Sequence, residues 1–213
     1  MYRPPAFRED RLDILHALIR AHPLAMLVTG GEHGLMASWI PFAIDPDASP
    51  NGTLRAHLAK GNGQVAALAG GAEAMILFQG PHAYVSPSWY ASKREHGKVV
   101  PTWNYVTVHA WGIPCVTERP DWLRRQVDHL TDAQEQGRAH PWSVADAPDA
   151  FIAAQLGGIV GLEIPIARIE GAWKLSQNRS AADRQGVIDG LGDEGPAGEA
   201  VARLVAAAVP DTR

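Results

Sequence analysis

The sequence predicts an α+β protein, a β-barrel decorated with helices. Three observations carry that prediction. Six or seven segments with strand-like alternation fill the middle of the chain, helix-periodic segments lie at both ends with one helical insertion, and the strands follow one another instead of alternating with helices. The 213 residues, 46% hydrophobic and 20% charged, suffice for a single domain over 1–213 with a substantial core.

The elements follow in order. Residues 9–21 place Leu12, Leu15, Leu18 and Ile19 on one helical face, with acids at the start and Pro23 as the stop. LAMLVTG and LMASWIPFAID read as two strands joined by a GEHG hairpin, Gly30 and Gly34 supplying the free dihedrals. TLRAHLA is a third strand, and 64–69 a short helix ending at Gly70-Gly71. AEAMILFQG and HAYVSPSWY are strand-like and split at Gly80-Pro81. The basic stretch SKREHGK is a loop, and TWNYVTVHAWGIPCVTE is one long strand with Trp103 and Tyr105 opposite Asn104 and Val106.

A helical insertion at about 120–156 comes next, its first helix carrying Trp122, Leu123, Val127 and Leu130 on one face. IVGLEIPIARIEGAWKLS then alternates, with Val160, Leu162, Ile164 and Ile166 to one side and Pro165 marking an edge or a bulge. Two Ala-rich helices close the chain at about 180–208.

Composition narrows the function classes. A net charge of −4 and a pI near 6.1 lack the basic surplus that a dedicated nucleic-acid binder uses, so charge does not support direct DNA contact. One cysteine excludes an intrachain disulfide, and no apolar run approaches a membrane span, so a soluble, cytoplasmic protein is expected. The nucleophile elbow, the phosphate-binding P-loop and the zinc-protease helix motif are all missing. Cys115 reads as a buried structural thiol. The nine histidines never take metal-ligand spacing, so no metal site is expected.

Short polar strings at strand ends remain. Ser38 and Trp39 sit in an otherwise apolar strand, and His57, Lys60 and Asn62 lie where a strand becomes a helix, a place that attracts anions. Thr102 and Asn104 bracket Trp103. Lys174, Gln177 and Arg179 belong to KLSQNR, two cations with a hydroxyl and two amides between a strand and a helix. Six of the fifteen aromatic residues, Tyr84, Trp89, Tyr90, Trp103, Tyr105 and Trp111, crowd 84–111. Cations, amide donors and rings together are what a planar, phosphorylated, nitrogen-rich cofactor requires. Taken singly, each string also reads as ordinary capping or core, and the rings as barrel core.

The strings GPHAYVSPSWY, VPTWNY followed by VH, KLSQNR and HLAKGN resemble the PaiB family, often labelled FMN-binding negative transcriptional regulators. The resemblance runs over essentially the whole chain, from MYRPPAF to about residue 208. It implies a split β-barrel of the pyridoxamine-phosphate-oxidase-like kind, a homodimer, and FMN at the subunit interface. Where relatives carry Arg and Pro around Asn62, this chain has Lys60 and Gly63, and a lysine meets phosphate without the bidentate fork of arginine.

On that resemblance Lys60 and Arg179 neutralise phosphate with Lys174 in reserve, and His57 and Asn62 belong to the same end. Ser38, Thr102 and Asn104 bond ribityl or ring-edge atoms, Gln177 is a further cofactor contact, and Trp39 and Trp103 pack on the isoalloxazine or the dimer seam. SKREHGK is then a candidate lid. Two alternatives stay open: a transcriptional repressor acting on DNA or through a partner, and a haem-binding or haem-degrading barrel with His57, His82 or His109 as iron ligand.

Overall fold

The computed structural model describes residues 1–31 and 34–208. The chain divides into two compact units, Leu12–Phe78 with His109–Ile169, and Met1–Arg11 with Gln79–Val108 and Glu170–Arg213.

In the larger unit, helix α1 (Leu12–Ala21) buries Leu15, His16, Leu18 and Ile19, the face its spacing predicts. Strand β2 (Leu24–Gly31) pairs antiparallel with β3 (Gly34–Asp45) from Leu24↔Pro41 to Gly31↔Gly34. Of the two expected hairpin glycines only Gly34 takes a positive φ, +94°; the turn residues Glu32 and His33 lie outside the described residues.

Strand β4 (Thr53–Ala59) joins β3 to β8 (Ile159–Pro165), and β7 (Cys115–Thr117) covers part of β8. With the first half of β5 (Ala74–Val85), the order within this unit is β5, β2, β3, β4, β8, β7. Leu15, Ile19, Leu27, Phe42, Leu54, Phe78, Leu162 and Ile164 are sealed from solvent, and the Phe42 and Phe78 rings meet edge to face at 5.9 Å. Helices α2 (Gln64–Ala69), α4 (Pro120–Glu135) and α5 (Asp149–Gly157) complete the unit. Trp122 of α4 lies flat on Gly161, where any Cβ would stand 2.1 Å from the ring.

In the smaller unit β1 (Arg8–Glu9) pairs with β9 (Arg168–Lys174), and the order is β1, β9, β6 (Thr102–Gly112), β5. Helices α6 (Ala181–Gly192) and α7 (Gly195–Ala207) pack together around Val187, Leu191, Val201 and Val205. Arg184 is buried between them, donating to the carbonyls of Val205 and Ala208 at 2.7 and 2.5 Å and so capping the end of α7. Arg203 is ion-paired with Glu199. The two cations of this helix pair are therefore spent within it.

Several expectations are corrected. Helix α1 begins at Leu12 and not at residue 9, because Glu9 belongs with Arg8 to strand β1. Strand β5 runs unbroken through Gly80-Pro81, because proline's fixed φ suits an extended chain and costs the ladder a single donor. The long strand after residue 101 breaks at Ile113-Pro114 into β6 and β7. The segment 159–176 is likewise two strands: the Ile166 and Ala167 amides leave the ladder for the carbonyls of Gly52 and Trp111. Pro165 ends β8 beyond the reach of β7, which extends only to Glu163, so its missing N–H faces no partner there. SKREHGK is not a loop: Ser92–His96 forms helix α3, stopped by Gly97 at φ +67°. Cys115 is exposed, since β7 lies at the sheet edge with Cys115 turned outward.

Candidate functional site

The expected site residues fall into two groups, one in each unit. In the larger unit, β3 presents Ser38 and Trp39, β4 presents His57, and the turn into α2 carries Lys60 and Asn62. Asn62 is held from two sides: its Nδ2 donates to Ser38 Oγ at 3.1 Å, and its Oδ1 accepts the Gln64 N–H at 2.9 Å. That second bond uses one of the free amides at the start of α2. Lys60 Nζ is paired with Glu118 Oε2 at 2.7 Å, so its charge is already neutralised. His57 stands opposite Gly161, its Nδ1 buried without a hydrogen-bond partner, and burial pushes the imidazole below its ordinary value and keeps it neutral. Trp39 is 57% exposed and Leu35 83%, and the two lie on the same face of β3, opposite its core side.

In the smaller unit, Thr102, Trp103 and Asn104 open β6, and Lys174, Gln177 and Arg179 occupy the end of β9 and the turn into α6. The Lys174 ammonium donates to Thr102 Oγ1 and, at 2.6 Å, to the Trp103 carbonyl. Both acceptors are neutral. The Arg179 guanidinium lies over the Tyr90 ring at 4.7 Å. Neither cation forms a salt bridge with a carboxylate among the described residues, although the Asp183 carboxylate lies close enough to feel the charge of Arg179. Burial, and then the charge of Arg179, lower the Lys174 pKa. Two like charges held together, offset only in part by the nearby Asp183, form a region prepared for an anion.

The supporting bonds explain why this turn is ordered. Asn104, fully buried, donates to Ser176 Oγ at 3.0 Å and holds a residue at φ +63°, the one non-glycine described residue in the left-handed region. Gln177 folds onto its own backbone, donating to the Trp173 carbonyl at 2.6 Å and accepting the Leu175 N–H at 2.7 Å. Its amide is used within the turn.

The crowded rings divide. Tyr90 and Trp111 are core, Trp111 lying beneath the Arg168 guanidinium at 3.5 Å. Trp103 and Tyr84 are half exposed and meet edge to face at 6.1 Å, with His82 at 5.7 Å from Trp103.

Sequence reasoning missed Asp183. It is buried and accepts both the N–H and the hydroxyl of Ser92 at 2.9 Å, anchoring α3 to α6. The Ser180-x-x-Asp183 spacing of a helix start was the available signal, and the Asp183 amide does donate to Ser180 Oγ. Burial raises its carboxyl, but the Ser92 amide and hydroxyl, Ser180 and the nearby Arg179 outweigh it and hold the pKa below the ordinary value. The stabilisation from this carboxylate is therefore fully present above the unfolded value and disappears as pH falls through the lower folded one. Asp183→Asn should flatten the acid limb of a urea-stability profile below the ordinary aspartate value. An unchanged limb would show that the contact contributes nothing to acid sensitivity.

Residues 1–168 match the family model described as "Putative FMN-binding domain". An uncharacterised protein of Emericella nidulans is 36% identical over 96% of both chains. The protease synthase and sporulation protein PAI 2 of Bacillus subtilis is 31% identical, again over 96% of each. Among solved structures, the FAD and haem binding protein of Mycobacterium smegmatis superposes with a TM-score of 0.59 at 20% identity, covering 78% of this chain and 73% of its own. That likeness shows the fold, the flavin-type split barrel that the sequence resemblance implied.

Proposed function

The chain belongs to the FMN-binding domain family, and from that premise we propose that it is a dimeric flavoprotein that binds FMN and serves a redox or regulatory role. The observation that carries the reading is the Lys174–Arg179 pair, two cations beside one another that form no salt bridge and are offset only in part by the nearby Asp183. A dianionic phosphate is what such a pair accommodates best. Arg179 offers a planar fork already oriented by Tyr90, and Lys174 a point charge steadied by Thr102. Bound FMN would supply the electron and hydride chemistry, which fits a chain without an evident nucleophile or acid–base pair. The residues' task is to hold, stack and shield.

In the larger unit the Ser38–Asn62 pair supplies a hydroxyl and an amide for polar atoms of the cofactor. Lys60 contributes to phosphate binding only after giving up Glu118. The exposed apolar pair Leu35 and Trp39 on one face of β3 is the surface we assign to a second copy of the chain, since exposed side chains of this size are costly to leave in water. The repressor reading gains no support from α6 and α7, whose arginines are engaged inside the pair.

A visible spectrum of the purified protein, followed by FMN titration with sedimentation, tests the proposal. Saturable binding of one FMN per chain in a dimer is the expected result. A Soret band would turn the reading to haem, and a colourless monomer indifferent to FMN would overturn it.

A further inference from the structure

A cleft of about 580 Å³ lies in the larger unit between α4 and the ends of β3, β4 and β8, and none of the candidate flavin residues lines it. Its volume falls in the range of small-molecule sites. What it can bind follows from which of its groups are already engaged.

The strand wall carries Asp45, Arg55 and Glu163. Arg55 donates from Nη1 to Asp45 at 2.8 Å and from Nε to Glu163 at 3.0 Å, and the Trp122 indole N–H donates to the same Glu163 oxygen at 3.2 Å. One guanidinium thus holds two carboxylates in place, and the wall keeps a surplus negative charge. All three side chains are about a third exposed, so that charge is accessible from the cleft. The helix wall carries Arg125 and His129, one turn apart on α4. Arg125 shares its charge with Asp121 at 3.2 Å, but Asp121 does not line the cleft. Between the walls sit Ile44, Pro46 and Trp122, which are apolar or aromatic. Gln126, 4% exposed, also lines the cleft, and its Nε2 has no hydrogen-bond partner. A buried amide donor left unpaired is costly, so a site that satisfies it is favoured.

Negative charge on one wall, positive charge on the facing helix and an apolar patch between them match a molecule with a charge at each end. We propose that this cleft binds a zwitterionic amino acid with an apolar side chain, at a site separate from the flavin. The ammonium faces Glu163 and Asp45, the carboxylate faces Arg125 and His129, and the side chain rests against Ile44, Pro46 and Trp122. The surplus charge of the strand wall is too small to hold a cation against Arg125, and a plain carboxylate would meet Glu163 unopposed. Both ends are needed.

Isothermal titration of the intact protein with L-phenylalanine, L-leucine, 3-phenylpropanoate and phenethylamine tests this. At least one of the two amino acids should bind at millimolar concentration or better, and tenfold more tightly than either single-charge analogue. Arg125→Gln, at a side chain 65% exposed, should leave the fold and FMN affinity unchanged and weaken amino-acid binding tenfold or more. Binding of neither amino acid at 10 mM, equal binding of an analogue, or binding indifferent to Arg125→Gln would each overturn the proposal. FMN affinity, read in the same samples, keeps its outcome apart from that of the flavin assignment.

Discussion

FMN should bind on the order of a hundredfold more tightly than riboflavin, and Arg179→Gln should remove most of that margin. Each charge-assisted hydrogen bond is worth roughly 1.5–3 kcal/mol, which is about 10- to 150-fold in affinity. Arg179 is oriented over Tyr90 and forms no salt bridge, so its guanidinium fork is available to the phosphate even with Asp183 nearby. Lys174 should matter in the same direction but less, because a point charge lacks the fork and burial already disfavours its charged form. Lys60→Gln should narrow the gap by under about tenfold, since Lys60 gains a phosphate only by losing Glu118, and a surface ion pair is worth about 0–1 kcal/mol. Fluorescence titration of both ligands against the three variants separates these effects. Equal affinity for FMN and riboflavin in the unmodified protein would place the phosphate elsewhere. A larger effect at Lys60 than at Arg179 would move it to the turn before α2.

Gly186→Ala should destabilise the protein by about 1–3 kcal/mol, the usual cost of overpacking. In an exposed helix the same change would stabilise by about 1 kcal/mol through helix propensity. Here packing decides the sign. A Cβ at 186 would stand 2.0 Å from the carbonyl oxygen of Trp89, and at Gly190 it would stand 2.3 Å from the Trp89 ring. The obstacle at 186 is backbone, which cannot rotate away. Trp89 would have to lift, and Tyr90 behind it carries the ring on which Arg179 rests. Melting should therefore fall by several degrees, and FMN affinity should fall with it. Gly192→Ala, on the same helix with nothing within 4 Å, is the matched control and should be neutral or slightly stabilising. A Gly186→Ala protein as stable as that control would show that α6 can shift off Trp89 freely.

The first of these predictions follows from a contact the sequence hid. KLSQNR announces two cations before a helix, and nothing local distinguishes Lys174 from Lys60. The distinction comes from Glu118, 58 residues after Lys60, and from Thr102, 72 residues before Lys174. Asp183 shows the intermediate case, where a capping pattern was visible but its partner Ser92, 91 residues away, was not. Gln177 is the opposite lesson: its partners lie two and four residues away, and a turn-forming amide was legible there.

The sequence by itself determined the α+β class, the antiparallel strands of the larger unit and the helices other than α3, because alternation and helical spacing are properties of a short stretch of backbone. Asn104 and Val106 facing inward, with Trp103 outward, belong to the same local arithmetic. Only the tertiary structure decided where strands stop, which cation keeps its charge, and that Cys115 looks outward. Prolines at 81, 114 and 165 are chemically identical, yet β5 runs through the first and the chain breaks at the other two. Whether a missing amide matters depends on the strand across from it, and whether a charge is free depends on what long-range packing sets beside it.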